Sequence, residues 1–281
     1  MYWKFKRRKT KEGIDKCKKV VYNTFAFKMA LNIGRGRASH MKILSIGNSF
    51  SEDAQRYLHR LAKKAGEDIT TTNLFIGGCS LCSHFINAWE NYPSYDLHVN
   101  GEFVKNRVSI KELLLSEDWD IVTLQQASHY SARYETYTPY IERVAQYVRE
   151  HCPRAKIYVH QTWAYAEGSS RLTYIGGFAT EQEMFEGIRD ACQRSAEAIQ
   201  ADGIIPCGKA MLLSTRMGID KIHRDTFHAS LGAGRYLLAL TWYKAFTGKD
   251  ISGDSFDEFD EPVTAEERAA VIKAVNAAFE D

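Results

Sequence analysis

From Met41 onward the chain alternates between two hydrophobic periodicities. Short apolar runs at residues 42–46, 70–75, 120–124, 156–160 and 203–206 are bounded by glycine or polar residues, and their length suits strands better than helices. Between and after them, apolar positions recur at helical spacing on one face over residues 51–64, 81–90, 140–151, 181–201, 208–217 and 231–246. Parallel neighbours require a crossover long enough to hold a helix, so this alternation predicts a mostly parallel five-stranded sheet covered on both faces. Residues 95–104 break the pattern. There polar and apolar positions alternate around Asn100-Gly101, a strong hairpin signal, and we expect this insertion to form a lid or wall beside the ligand site. The acidic segment 253–261 reads as a linker, and Thr264-Ala265-Glu266-Glu267 has the form of a capping box opening a terminal helix that runs to Phe279.

Length and composition narrow the picture. With 281 residues, 44% of them hydrophobic, the chain suits one α/β domain with a full core. The net charge of +2 hides an asymmetry: residues 1–40 carry 12 Lys/Arg against Glu12 and Asp15, a local net of +10, which leaves −8 for residues 41–281. We therefore expect a basic extension over residues 1–40, outside the core, and a folded domain over 41–281. A basic arm for nucleic acid or anionic membranes is one reading of the extension. An appended leader is the preferred one, because an acidic domain has no evident use for such an arm. The apolar stretch 20–33 is interrupted by Asn23, Thr24, Lys28 and Asn32, too short and too polar to span a bilayer or serve as a signal peptide. Six scattered cysteines, at positions 17, 79, 82, 152, 192 and 207, form no disulfide framework, and a cytoplasmic location is the resulting expectation.

Candidate chemistry begins at Ser49. In Ser45-Ile46-Gly47-Asn48-Ser49-Phe50 the first strand breaks at a glycine and delivers a serine into a helix, which exposes Oγ while the first helical N–H groups face developing negative charge. Small polar residues follow strands in many α/β proteins, so the turn by itself does not identify a nucleophile. Far along the chain, Asp225-Thr226-Phe227-His228 puts a carboxylate three residues before an imidazole, in a loop that opens a helix. That spacing lets the acid hold one ring nitrogen and leaves the other for a serine hydroxyl.

Gly47-Asn48-Ser49 early and Asp225-x-x-His228 late resemble the first and last motif blocks of the SGNH, or GDSL-type, hydrolases, over residues 41 to about 246. The resemblance implies a flavodoxin-like three-layer α/β/α domain and a serine esterase with Ser49, Asp225 and His228 as its triad. It also implies an oxyanion hole built from the Ser49 and Gly78 N–H groups, with Gly77 as neighbour to Gly78. The family's third block carries an asparagine, whereas this chain reads Leu124-Gln125-Gln126. A glutamine amide offers the same donor, so Gln125, or Gln126 next to it, is expected to complete the hole. Asn48 stands where most members have aspartate.

Tyr130, Tyr134 and Tyr137 follow the third strand and Trp163-Ala164-Tyr165 the fourth, with His160 at that strand's end. Of these, Trp163, Tyr130 and His160 are expected to bind substrate, aromatic faces stacking on sugar rings; the alternative is that they fill half-buried loops with wet polar tips. Two metal readings are weaker: Cys79-x-x-Cys82 with His84 lacks a second pair, and His223, Asp225 and His228 lack a distant partner cluster. The expectation is thus a cofactor-free, metal-independent esterase acting on a small-molecule or oligosaccharide ester, with no nucleic-acid or membrane partner. A lipase or thioesterase, or a non-catalytic carbohydrate-binding protein, is the alternative.

Overall fold

The structure, a computed structural model, describes residues 40–280; the expectations for the extension at residues 1–39, including the stretch 20–33 and Cys17, lie outside the described residues. The described residues fall within one compact unit.

Seven strands form one sheet in the order β4-β3-β2-β1-β5-β6-β7. β1 (Met41–Gly47), β2 (Ile69–Phe75), β5 (Ile121–Leu124), β6 (Lys156–His160) and β7 (Gly203–Ile205) are the five expected strands, and they pair in parallel. The two extra strands, β3 (Tyr95–Val99) and β4 (Glu102–Val108), are the hairpin, which adds antiparallel to the β2 edge. Its role differs from the expected lid. Phe75 pairs with Asp96 and Thr72 with Val99, so the Asn100-Gly101 tip points toward the start of β2, away from the strand ends where a ligand would sit. There the Asn100 N–H donates to Thr71 O at 2.8 Å and the Arg56 side chain donates to Gly101 O at 3.0 Å.

Alternation within the parallel strands sorts the core into two layers. Leu44, Ile46, Val122, Leu124, Ile157 and Val159 face one side, where α3 (Leu81–Trp89), α4 (Ile110–Leu114), α5 (Tyr140–His151) and α6 (Glu181–Ala198) pack. Ile43 and Ile121 face the other, under α1 (Ser49–Gln55), α2 (Leu58–Lys64), α7 (Cys207–Arg216), α8 (Ala233–Thr247) and α9 (Ala265–Ala278). The result is a three-layer α/β/α sandwich. The single helix expected over 51–64 is two helices, because Tyr57 is fully buried between them and its hydroxyl donates to Leu231 O while accepting from Asp260 N–H at 2.7 Å. The capping box at Thr264 and Glu267 is present.

β2 lies on one side of β1 and β5 on the other, so the chain reverses its direction of growth at β1. In open α/β sheets ligands bind at such a reversal, beyond the carboxyl ends of the strands. Among the described residues no helix is long and apolar enough to cross a membrane.

Candidate active site

β1 ends at Gly47, where a side chain would be crowded: a Cβ there would lie 2.1 Å from Ser51 Oγ. Asn48 then caps α1, its Oδ1 accepting from Phe50 N–H at 3.0 Å, while Ser51 Oγ accepts from Asn48 N–H at 3.1 Å. This reciprocal box fixes the first turn and leaves Ser49 as the first helical residue, its side chain free for other partners. Beyond β2, Cys79 N–H closes a turn onto Ile76 O at 3.1 Å. Gly78 within that turn has φ +64°, which suits a residue without Cβ.

The third component is the loop before α8. Thr226 has φ +74°, an unusual conformation for a β-branched residue, held where Thr226 O accepts from Ala166 N–H at 2.8 Å. This bend wraps the loop around Asp225, whose Oδ1 accepts from His228 N–H at 2.8 Å. The His228 Nδ1–H donates to Asp225 Oδ2 at 2.7 Å, and Ser49 Oγ–H donates to His228 Nε2 at 2.9 Å. Burial works against ionisation of Asp225, but the hydrogen bonds from the His228 side chain and backbone, with the attraction of His228 and the Phe227 N–H, hold its carboxyl below the usual range. It stays ionised and fixes the histidine tautomer that presents a free acceptor to Ser49.

Ser49, Gly78 and His228 line one cavity of about 310 Å³ together with Asn48, Phe50, Gly77, Ser128, His129, Arg171 and Phe227. This lies at the small end of ligand pockets. Neither Ser49 N–H nor Gly78 N–H donates to an acceptor among the described residues.

Other expected site residues take different places. Gln125 and Gln126 are both 1% exposed and neither lines the cavity, so the expectation that one of them faces an oxyanion there is corrected. The Gln125 amide N–H donates to Asn48 Oδ1, and Gln125 Oε1 accepts from His160 Nδ1–H at 2.7 Å. Burial pushes the His160 imidazole down to about 3, so it is neutral and its proton orients the glutamine amide. Asn48 in turn donates from Nδ2 to Cys79 O at 3.1 Å. A buried chain His160–Gln125–Asn48–Cys79 therefore ties the Ser49 turn to the Gly78 loop. Gln126 is spent elsewhere: its Oε1 accepts from Leu81 N–H at 2.9 Å and its Nε2 donates to Thr136 O at 2.8 Å.

His160, buried in that chain, does not line the cavity. Trp163 is fully buried, not a rim residue: it stacks on Phe50 at 4.0 Å between centroids and its Nε1–H donates to Phe227 O at 2.7 Å, supporting both the serine helix and the histidine loop from below. Tyr137 and Tyr165 are core residues as well. Tyr130 is exposed but borders a neighbouring cavity with Ser80, Cys82, Gln126, Thr136 and Tyr140. The metal readings fare no better, since no group of three or more His, Cys, Asp or Glu among the described residues is placed to hold an ion. His223, held below the ordinary range at about 4 by burial, donates from Nε2 to Ala164 O at 3.2 Å.

Sequence reasoning missed Asp53, Arg171 and His129. Asp53 is fully buried on α1, and its carboxylate accepts from Arg224 Nη1 and Arg235 Nε at 2.9 Å each. An Asp inside a helix pattern carries no signal of such distant partners. Arg171 opens the short helical segment Arg171–Gly176 beyond β6 and His129 lies in the loop beyond β5, and only the folded chain brings them to the cavity.

A family model described as a domain of unknown function, DUF4886, matches residues 42–281. A crystal structure of a DUF4886 protein from Bacteroides uniformis is 32% identical, with a TM-score of 0.80 over 85% of this chain and 94% of that one. A candidate SGNH hydrolase from Slackia heliotrinireducens is 22% identical, with a TM-score of 0.54 over 73% of this chain and 98% of that one. A candidate GDSL-like lipase from Parabacteroides merdae is 14% identical, with a TM-score of 0.52 over 78% of this chain and all of that one. These last two likenesses concern the fold. No curated protein matches the chain.

Proposed function

The chain belongs to the DUF4886 family, whose description assigns no activity, and we propose from the site that it is a serine esterase releasing a short acyl group, acetyl in the first instance, from a carbohydrate. The observation that carries the reading is the unbroken hydrogen-bond chain from Asp225 through His228 to Ser49 Oγ at the floor of an open cavity.

In this mechanism Ser49 Oγ attacks the ester carbonyl while His228 Nε2 takes its proton. Asp225 holds the imidazole and stabilises the imidazolium without itself accepting the proton. The carbonyl oxygen becomes an oxyanion that the Ser49 and Gly78 N–H groups receive, both being free of acceptors among the described residues. His228 then protonates the leaving alcohol, and a water deprotonated by the same nitrogen hydrolyses the acyl-enzyme. Gln125 enters one step removed, by holding Asn48 and hence the turn that presents Ser49. A short acyl group is preferred here to the long chain of a lipase or thioesterase because the cavity lining brings Ser128, His129 and Arg171 beside Ser49 and His228 and is no continuous apolar groove. Carbohydrate as the alcohol is supported by the resemblance to SGNH-type esterases.

Labelling with a fluorophosphonate, followed by peptide mapping, tests the reading directly. Modification at Ser49, absent in Ser49→Ala, with loss of 4-nitrophenyl acetate hydrolysis of at least ~10³-fold in Ser49→Ala and His228→Ala, is the expected result. Near-normal turnover in either variant would overturn the triad, and acetyl release from acetylated xylan set against 4-nitrophenyl butyrate and octanoate decides the substrate class.

A further inference from the structure

We propose that the substrate carries an anionic oxygen group, a carboxylate in the simplest case, recognised by Arg171 beside the reacting ester. The inference deepens the esterase reading and rests on it for which bond is cut, while the anion site stands on Arg171 itself.

Arg171 lines the same cavity as Ser49 and His228. Its guanidinium carbon sits 3.8 Å from the Phe227 ring centroid and 5.5 Å from that of Tyr165. Phe227 precedes His228 and packs on it at 3.8 Å between centroids, so the cation is seated on the wall of the catalytic site. The segment bearing it, Arg171–Gly176, is secured where Gly176 O accepts from Arg133 Nη2 at 2.9 Å.

Among the described residues the Arg171 side chain makes no ion pair and no hydrogen bond. Arg107 and Arg143 share that condition, but both are exposed and meet their need in water, whereas Arg171 is half-buried. Elsewhere among the described residues, arginine side chains withdrawn from water find protein acceptors: Arg56 in Asp260 and Glu102, Arg224 and Arg235 in Asp53, Arg268 in Asp254, and Arg133 in the Gly176 carbonyl. The ten residues lining the cavity include no carboxylate. A cation withdrawn from water without a counter-charge is costly, and a bound anion removes that cost. Stacking on Phe227 occupies the guanidinium face and leaves its in-plane N–H donors, the ones that match a carboxylate in a bidentate fork. Neighbouring His129 is held below its ordinary range, by burial first and by the Arg171 cation second. It is therefore neutral near pH 7, a hydrogen-bonding companion that leaves Arg171 as the fixed charge on that wall.

The anion can belong to the acyl group, as in a hemisuccinate, or to the alcohol, as in an acetylated uronate, and paired esters separate the two. The kcat/KM for 4-nitrophenyl hydrogen succinate is divided by that for methyl 4-nitrophenyl succinate, and the kcat/KM for an O-acetyl methyl glucuronoside by that for its methyl ester. We expect one ratio to exceed unity clearly in the native protein and to fall about 10–100-fold in Arg171→Gln, with partial recovery in Arg171→Lys. Any unfolded fraction cancels in each ratio. Ratios near unity in the native protein, or unchanged in Arg171→Gln, would overturn the proposal. In parallel, binding of the same four esters to Ser49→Ala is followed by NMR titration, which needs no turnover. Arg171-dependent preference for the charged member without hydrolysis by the native protein would sink the esterase reading and keep the anion site; hydrolysis without such preference would do the reverse.

Discussion

Replacing Asp53 by alanine should both loosen the fold and displace the loop that carries Asp225 and His228. The Asp53 carboxylate is fully buried and accepts from Arg224 and Arg235, whose side chains are 29% and 15% exposed. Arg224 Nη1 also donates to Ala229 O, and Arg224 N–H donates to His228 O at 3.0 Å. Asp53 on the serine helix therefore anchors both sides of the loop that carries Asp225 and His228. Removing one partner of a buried pair typically costs 3–5 kcal/mol, because a charge is left behind without its counter-charge. Arg235 keeps Asp260 at 2.7 Å, and both arginines retain some contact with water, so the lower end applies. A loss of about 3 kcal/mol corresponds to a Tm lower by roughly 6–12 °C for a domain of this size. Urea unfolding supplies the free energy, and 4-nitrophenyl acetate kinetics below the new Tm supply kcat, expected to fall at least ~10-fold as the Ser49–His228 geometry relaxes. A double-mutant cycle with Arg224→Met should return a coupling of at least ~1 kcal/mol. Destabilisation below about 1 kcal/mol, or an unchanged kcat, would refute the anchoring argument.

Gln125→Ala should lower kcat by about 10-fold or more with a smaller change in KM, since it frees Asn48 and leaves His160 Nδ1–H unpaired, whereas the same change at Gln126 should act mainly on stability; a larger kcat effect at Gln126 would reverse the assignment. His84 and His160 are each pushed down to about 3 and His223 to about 4 by burial, so the unfolded chain binds more protons than the native one below the ordinary value of 6.5. Stability is therefore fully present above pH 6.5 and falls toward pH 4, by on the order of 2 kcal/mol per histidine at pH 5; urea titrations at pH 7.5, 6 and 5 that coincide would exclude this. Gly47→Ala should destabilise the protein and reduce activity together, because its methyl group would collide with Ser51 Oγ at the serine turn; a Tm and kcat both within error of the native values would show that the turn can yield. A chain beginning at Ala38 should keep the Tm and esterase activity of the full chain, since β1 starts at Met41; loss of either would assign residues 1–37 a structural part.

Local chemistry explains what was legible before folding. The five parallel strands and most of their helices follow from periodicity within each segment, and Ser49 follows from a strand broken by Gly47 ahead of a capped helix. Asp225 and His228 were readable for the same reason, since a carboxylate three residues before a histidine can reach its ring and its N–H within one loop. Distant contacts decided the rest. Whether Gln125 faces an oxyanion or Asn48 depends on His160 from the next strand, and whether Trp163 meets a ligand or the underside of Phe50 depends on a helix more than a hundred residues earlier. Alternation around Asn100-Gly101 identified a hairpin, yet its direction came from pairing with β2. Asp53 and Arg171 carry no distinguishing signal along the chain because hydropathy averages over a local window, whereas burial, counter-charges and the walls of a cavity are supplied by residues that only the folded chain brings near. The sequence thus determined which groups are available and their local geometry, and the tertiary structure decided which of them meet, because desolvation and hydrogen-bond partnership are properties of the packed whole.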